Sequence, residues 1–382
     1  KTFKDYLNSK LKLFNELLVY KGNIIFDQRI KESKKLNKIA KSKNLRKYTT
    51  GNSKSFIHIK NIQKIKDQKK IEIKINNKTY SFKTSLLGNI QIENLMFAIV
   101  AAYLSGLKIT TIIKSINKIK SINGRIEKVG NLKNRAIVIL DYAHTPHALK
   151  TLILDIKKDF PLSKLSIVFG CGGSRDKDKR SMMGNIVRNY CHNIYLTDDN
   201  PRFEDPKLIR NQIKSGLNKK KFYEIPSRLQ AINTAIFKLE SGDVLLVVGK
   251  GHENYQEYKY KSFFSDKLEI LKSIKNRNKI LSNSIKTNIL NETLGNHPIN
   301  KNNILRYASV NSKKINKNSV FFGVKGKRFD GNKFANDAIN NGAVLAISNQ
   351  KFKKSKIIFS KNPLSLFNNV SSKLRKSLKN IT

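Results

Sequence analysis

Four short apolar runs punctuate the middle of the chain: AIVIL (136–140), LSIVFG (165–170), NIYLT (193–197) and DVLLVVG (243–249). Each is separated from the next by a stretch long enough for a crossover helix. Runs with little polar alternation suit strands covered on both faces of a parallel sheet. The pattern therefore predicts a doubly wound, Rossmann-like α/β domain over 125–275. Upstream, over 1–124, the pattern is mixed. It predicts a helix over 6–18, strands at IEIKI (71–75) and TYSFKT (79–84), and a helix over 94–104. LMFAIVAAYL (95–104) is apolar nearly all round, which predicts burial on every side. The polar stretch 276–286 reads as a linker. A second small α/β pattern fills 287–382, with SVFFGVKGKRFDG (319–331), a helix near FANDAINNGA (334–343) and a strand at AVLAIS (343–348).

The chain carries 76 Lys and Arg against 27 Asp and Glu, a formal net charge of +49. Such a balance raises nucleic acid as a partner. The cations, however, are spread evenly among many Ile and Asn residues, with no cluster interleaved with aromatics and no RNA- or DNA-reading motif. A compositional bias explains the totals better, and no nucleic-acid partner is expected. Cys171 and Cys191 can build neither a disulfide framework nor a metal site by spacing, which points to a reducing cytoplasm. No apolar run approaches the roughly 18–20 residues of a membrane span, so no membrane insertion is expected. The first residue is Lys rather than Met, and the chain reads as a piece of something longer.

Ligands of open parallel sheets sit beyond the carboxyl ends of the strands. The four runs are followed by DYAHTP (141–146), GCGGSRDKDKR (170–180), DDNPR (198–202) and GKGHE (249–253). Each loop also has an ordinary structural reading: a tight turn, an Asx-Pro turn, a flexible strand exit. Their coincidence at four strand ends is what points to one site.

In this order and spacing, DYAHTP, FGCGG with Arg175-Asp176 and Lys179-Arg180, DDNPR and GKGHENYQ resemble the C-terminal domain of the ATP-dependent muramyl peptide (Mur) ligases. The meso-diaminopimelate-adding branch is the nearest match. LGNIQIENLMFAIVAA and INGRIEKV resemble the end of that family's central ATPase domain, and YLNSKLKLF its lysine-bearing helix. The resemblance covers about 1–272. Other members of the superfamily, lysine-adding or folylpolyglutamate synthetase-like, are the nearest alternatives, and DNPR argues against the latter.

The resemblance implies that ATP phosphorylates the terminal carboxylate of UDP-MurNAc-dipeptide, and that the amine of meso-diaminopimelate attacks the acyl phosphate. Mg²⁺ and protein cations neutralise charge in such transfers. It makes Lys10 the family's carbamoylated lysine, a Mg²⁺ ligand, and otherwise a surface lysine. Asn94 and Arg125 would lie along the nucleotide, Asp141 would hold the ribose hydroxyls, and His144 would pack near the adenine. The competing structural account is a helix cap for Asn94 and an ion pair of Arg125 with Glu127. The meso-diaminopimelate pocket would comprise Arg175, Asp199, Asn200, Pro201, Arg202, Gly249 and Glu253. Arg202 would take the distal carboxylate in two places, Arg175 another carboxylate, and Glu253 the distal amine. Because lysine lacks that carboxylate, the fork of Arg202 favours diaminopimelate.

Ser174 and Ser181 stand where the family usually has Asp and Pro, which bears on loop rigidity. No GxxGK[ST] occurs, and the His expected before Lys10 is absent, so this stretch alone is expected to be inactive. Residues 287–382 resemble the N-terminal substrate domain of these ligases, closest to the D-Ala-D-Ala-adding branch. Ser312 and Lys313 stand in its UDP-substrate motif, in which Asn311 replaces an Asp. A bifunctional fusion, monomeric in solution, is the expectation.

Overall fold

The computed structural model describes residues 2–65, 68–218, 220–283, 307–316, 319–326, 329–353 and 356–378. They divide into two compact units: Lys1–Val129 with Val138–Ala235 and Asp243–Glu269, and Gly130–Ile137 with Ile236–Gly242 and Ile270–Thr382.

The first unit opens with α1 (Phe3–Lys12), capped by Thr2 and Asp5 and prolonged by a π-helical turn over Leu13–Leu17. A five-stranded sheet follows in the order β1 (Asn23–Asp27), β2 (Arg46–Thr50), β3 (Ile57–Ile65), β4 (Gln68–Ile75) and β5 (Lys78–Thr84). β1 and β2 run parallel, whereas β3, β4 and β5 form an antiparallel meander. Helix α2 (Ser33–Ser42) joins β1 to β2. Strict alternation along β4 sends Ile71, Ile73 and Ile75 into one core, where they meet Ile92, Leu95, Met96, Ile99 and Val100 of α3 (Asn89–Leu104). Helix α4 (Ile109–Ser115) adds Ile112. Although α3 is apolar around its circumference, only that one stripe is buried. Asn94, Ala98 and Ala101 are exposed on the other side, which corrects the expectation of all-round burial.

A six-stranded sheet has the order β10 (Tyr223–Glu224), β9 (Asn193–Leu196), β8 (Leu165–Phe169), β11 (Val244–Val248), β7 (Ile137–Asp141) and β6 (Glu127–Asn131). It is parallel from β10 through β9 and β8 to β11. Connections run outward from β8 to β9 and β10, then return to insert β11 between β8 and β7. This reversal is the topological switch at which open α/β sheets leave a crevice. The helices are α5 (Pro146–Asp159), α6 (Asp178–Tyr190), α7 (Pro206–Leu217), α8 (Arg228–Phe237) and α9 (Asp266–Asn283). A hairpin of β12 (Tyr255–Tyr258) and β13 (Tyr260–Phe263) follows β11.

Helix α5 also serves α3. Gly88, at the N-cap of α3, has no side chain to satisfy the first amides of the helix. Asp155 accepts from the backbone N–H of Asn89 at 2.9 Å and of Ile90 at 3.2 Å. Asp159 accepts from Gly88 N–H at 2.7 Å and from the buried Lys69 ammonium at 2.8 Å. Two acids one turn apart thus cap a neighbouring helix.

In the second unit, β14 (Tyr307–Ser309), β15 (Ser319–Phe322), β16 (Leu345–Ser348) and β17 (Ile357–Phe359) form a parallel sheet in chain order. Val320, Phe322, Leu345, Ile347 and Ile358 pack beneath Leu366 and Val370 of the helix Pro363–Leu378. The polar stretch 276–286 differs from the linker expected there. It continues α9 as helix as far as Asn283, helped by the buried Ile274 and Leu281. The rest of that linker, 284–286, the start of the second α/β segment, 287–306, and the terminal 379–382 lie outside the described residues. Among the described residues, no helix is long and apolar enough to cross a membrane.

Candidate active site

The carboxyl ends of β7, β8, β9 and β11 carry the four polar loops, and backbone hydrogen bonds stitch them together. Gly249 N–H donates to Asp141 O at 3.2 Å, joining the ends of β11 and β7. Gly173 N–H donates to Asn200 O at 2.9 Å, joining the Gly-rich loop to DNPR. Gly173 is obligatory there, since a Cβ would fall 1.9 Å from Pro201 O.

Arg202 adopts φ 57°, an uncommon conformation for a residue with a side chain. The hairpin over-determines it: Arg202 N–H donates to Glu257 O and Lys259 N–H donates to Arg202 O, both at 2.9 Å. Its side chain is anchored as well. Nη1 donates to Gly173 O at 2.8 Å, and Nε lies 3.1 Å from Glu257 Oε2. The fork expected to be free for a ligand is therefore partly committed to the protein, and the Nη2 edge is the part without a hydrogen bond among the described residues. The exposed Arg175 lies nearby: a Cβ on Gly172 would fall 3.0 Å from Arg202 Nη1 and 4.0 Å from Arg175 Cγ.

Asn200 and Pro201 are buried, and the Asn200 amide is the hub of the pocket. Its Oδ1 accepts from Lys250 Nζ at 2.9 Å and from Glu257 N–H at 3.1 Å. Its Nδ2 donates to Glu253 Oε2 at 3.0 Å. Beneath lies a cluster of buried charge. Arg228, fully buried, grips Asp266 at 2.6 Å and 2.8 Å and donates to Val248 O, while its Nη1 stands 3.8 Å from Asp199. Burial pushes the Asp199 carboxyl up despite Arg228 and Lys250, and pushes the Lys250 ammonium down despite Asp199.

A second cluster gathers around Tyr142. The guanidinium of Arg125 lies 4.4 Å from its ring centroid, His144 meets the ring edge-on at 4.8 Å, and His252 lies at 5.6 Å. Glu127 pairs with Lys267 and accepts from Gly124 N–H, and among the described residues no ion pair joins it to Arg125 as weighed above. Asp141 is buried and bridges two segments, accepting from Ile126 N–H at 2.8 Å and Ala143 N–H at 2.7 Å. Burial raises its pKa against those two bonds. Each Asp141 oxygen keeps one lone pair beyond its backbone bond, which suits a ribose hydroxyl. Tyr142 Oη donates to Glu253 Oε1 at 3.4 Å and so ties the two clusters together.

Asn94 is exposed on the second turn of α3 and is not its cap. It follows by three residues Gln91, whose side-chain amide donates to Arg125 O, so it shares the face that meets Arg125. Lys10 is exposed on α1 with its ammonium 5.6 Å from the Tyr6 ring centroid, and no hydrogen bond or ion pair joins it to either cluster among the described residues. Ser312 and the exposed Lys313 form the turn after β14, at the carboxyl end of that sheet, with Ser312 O accepting from Asn341. Among the described residues, no group of three His, Cys, Asp or Glu is disposed to hold a metal ion. Ser174, the departure from the expected Asp, has its N–H held by Glu204, which also pairs with the buried Arg180.

Tyr142, Lys250, Glu257, Arg228 and Asp266 had no assigned role in the sequence. Lys250 and Tyr142 stand inside quoted motifs, so the loops themselves were the available signal.

Three family models match in succession: "Mur ligase middle domain" over 1–102, "Mur ligase, glutamate ligase domain" over 124–251, and "Mur ligase family, catalytic domain" over 306–371. The UDP-N-acetylmuramoyl-L-alanyl-D-glutamate–2,6-diaminopimelate ligase of Rickettsia typhi is 39% identical over 256 residues, 67% of this chain and 51% of that protein. Its namesake in Chelativorans is 34% identical over 277 residues, 72% of this chain and 57% of that one. The chain thus spans about half the length of the curated relatives it matches. A solved structure of a ligase of the same name is 27% identical, with a TM-score of 0.51 over 72% of this chain and 57% of its own. A MurF ligase from Thermotoga maritima, solved with ADP, shares the fold at 13% identity and a TM-score of 0.54 over 73% of this chain and 58% of its own. Motifs, sheet order and family models agree, and the chain belongs to the Mur ligase family.

Proposed function

We propose that these residues form the amino-acid-adding part of an ATP-dependent amide ligase that joins meso-diaminopimelate to UDP-MurNAc-L-Ala-D-Glu in the cytoplasm. The observation that carries this reading is the convergence of Arg202 and Glu253 on Asn200, supported by the names of the relatives. One end of the pocket thereby offers a guanidinium edge and a carboxylate. The distal end of meso-diaminopimelate carries a carboxylate and an ammonium, whereas lysine carries only the ammonium. Arg202 Nη2 and Arg175 would bind carboxylate oxygens, and Glu253 would bind the ammonium. Gly249, Asn200, Asp199 and Pro201 would shape the floor.

ATP, when bound, supplies the phosphoryl group that activates the substrate carboxylate. On this side Arg125 and the Tyr142 ring offer a flat cationic and aromatic surface, Asp141 an acceptor, His144 a further ring, and Asn94 an exposed amide nearby. Lys10 as a carbamate would offer one oxygen ligand to Mg²⁺. Because the 382 residues hold no Gly-Lys-Ser/Thr loop, turnover is assigned to a protein in which they are joined to one. The match at 306–371, following a middle and a glutamate ligase domain, favours a second ligase segment downstream, with Ser312 and Lys313 facing a UDP-linked substrate. We read the whole as monomeric and bifunctional, the second activity being D-Ala-D-Ala addition.

The test is ligation in the full-length protein carrying these residues. With ATP, Mg²⁺ and UDP-MurNAc-L-Ala-D-Glu, meso-diaminopimelate should be joined at least about tenfold more efficiently than L-lysine, the worth of one charged hydrogen bond. Equal or better use of lysine would contradict the assignment.

A further inference from the structure

Lys250 is fully buried, yet its ammonium touches two groups that face the pocket. It donates to Asn200 Oδ1 at 2.9 Å and lies 3.4 Å from Glu253 Oε2. Its Nζ also sits 5.1 Å from the Tyr255 ring centroid, a cation held against an aromatic face. Burying an ammonium is costly without partners, and Lys250 finds them in Asn200, Glu253 and the Tyr255 ring.

A side-chain amide has two faces of nearly equal shape, and its partners decide which points where. At Asn200, two donors converge on Oδ1, the Lys250 ammonium and Glu257 N–H at 3.1 Å. Nδ2 is thereby left to donate to Glu253 Oε2 at 3.0 Å. Oε2 is then held by both Asn200 and Lys250. Among the described residues, Oε1 has only the longer contact from Tyr142 Oη, at 3.4 Å. The ammonium thus shares with Glu257 N–H the setting of the amide, and bears on the rotation of the carboxylate both through Asn200 and directly.

We propose that Lys250 is a positioning residue that sets the Asn200 amide and consumes Glu253 Oε2, leaving Glu253 Oε1 to receive the distal ammonium of the amino-acid substrate. This rests on reading the pocket as the meso-diaminopimelate site. Removing Lys250 leaves Asn200 Oδ1 with Glu257 N–H and Glu253 Oε2 with Asn200 Nδ2, so that the amide and the carboxylate each lose one of the two bonds that hold them. The loss falls on substrates that carry an ammonium at that end.

The experiment compares meso-diaminopimelate with 2-aminopimelate, which keeps both carboxylates and lacks the distal ammonium. kcat/KM for both, and KM for ATP, are measured in the full-length ligase and its Lys250→Met and Lys250→Gln variants, with thermal melts recorded alongside. Methionine keeps the unbranched stem without a donor, and glutamine keeps a neutral donor for Asn200 Oδ1. The preference for meso-diaminopimelate should fall about tenfold in Lys250→Met and less in Lys250→Gln, with KM for ATP unchanged. Equal slowing of both substrates, or loss of folding in both variants, would assign Lys250 to the fold alone and overturn the proposal. A parent enzyme that does not distinguish the two amino acids would overturn the pocket assignment itself, and this proposal with it.

Discussion

Gly249 approaches Asp199 so closely that a Cβ on Gly249 would fall 2.4 Å from Asp199 Oδ2, and its φ of +113° lies where side chains are disfavoured. The exit of β11 and the start of DNPR are thus fitted to each other through a missing methyl group. Gly249→Ala should cost about 1–3 kcal/mol from the backbone conformation and push Asp199 away. Urea unfolding should report the former, and a KM for meso-diaminopimelate that rises more than KM for ATP the latter. An unchanged midpoint with unchanged KM values would show that the contact relaxes freely.

Arg228 and Asp266 form an ion pair with both side chains wholly buried. Its desolvation makes it fragile to one-sided change, because a lone buried charge has no compensation. Asp266→Ala should lower stability by about 3–5 kcal/mol, and Arg228→Met with Asp266→Leu should recover much of it. Chemical denaturation of the parent and the two variants measures this, and a double variant no more stable than Asp266→Ala would contradict it.

Asp155 caps α3 from a neighbouring helix, so its removal should act at a distance in sequence. Asp155→Ala should cost about 0.5–2 kcal/mol, the usual range for a cap. Amide hydrogen exchange at residues 89–92 should speed up while the amides of β11 stay protected. Uniform acceleration across both would mean that the acid supports the fold globally.

The Glu204 carboxyl is held down to about 2, first by its hydrogen bond with the buried Arg180. A depressed acid contributes stability above its unfolded pKa of about 4.3, and that contribution is lost as pH falls towards 2. Melting temperatures of the parent and Glu204→Gln should therefore differ at pH 6 and converge by about pH 2. A difference that stays constant down to pH 2 would place the stabilisation elsewhere.

The strands β7, β8, β9 and β11 were legible because each is a dense apolar run, and the loops behind them followed from the sheet rule. β4 and β5 were legible by alternation. β1, β2 and β3 were not assigned, because NIIFD and RKYTT are short and β3, IHIKNIQKI, carries polar residues through its exposed half. α3 misled in the other sense, since alanines on its outer face look like core residues in a sequence. In the site, the motifs located the loops without revealing their internal bonding. That Arg202 spends Nε and Nη1 on Glu257 and Gly173, or that Lys250 reaches Asn200, depends on partners more than 25 residues away. One lysine among 76 basic residues carries no mark of burial.

The central claim is that DNPR reads the distal carboxylate of the amino acid, and one ratio tests it most directly. kcat/KM for meso-diaminopimelate over that for L-lysine is measured in the full-length ligase and in Arg202→Ala. Only diaminopimelate loses a charged partner, on a scale of about 1.5–3 kcal/mol, so the ratio should shrink by roughly one to two decades. A ratio left unchanged, even with both activities reduced, would mean that Arg202 serves only to bind Gly173 and Glu257, and would contradict the account.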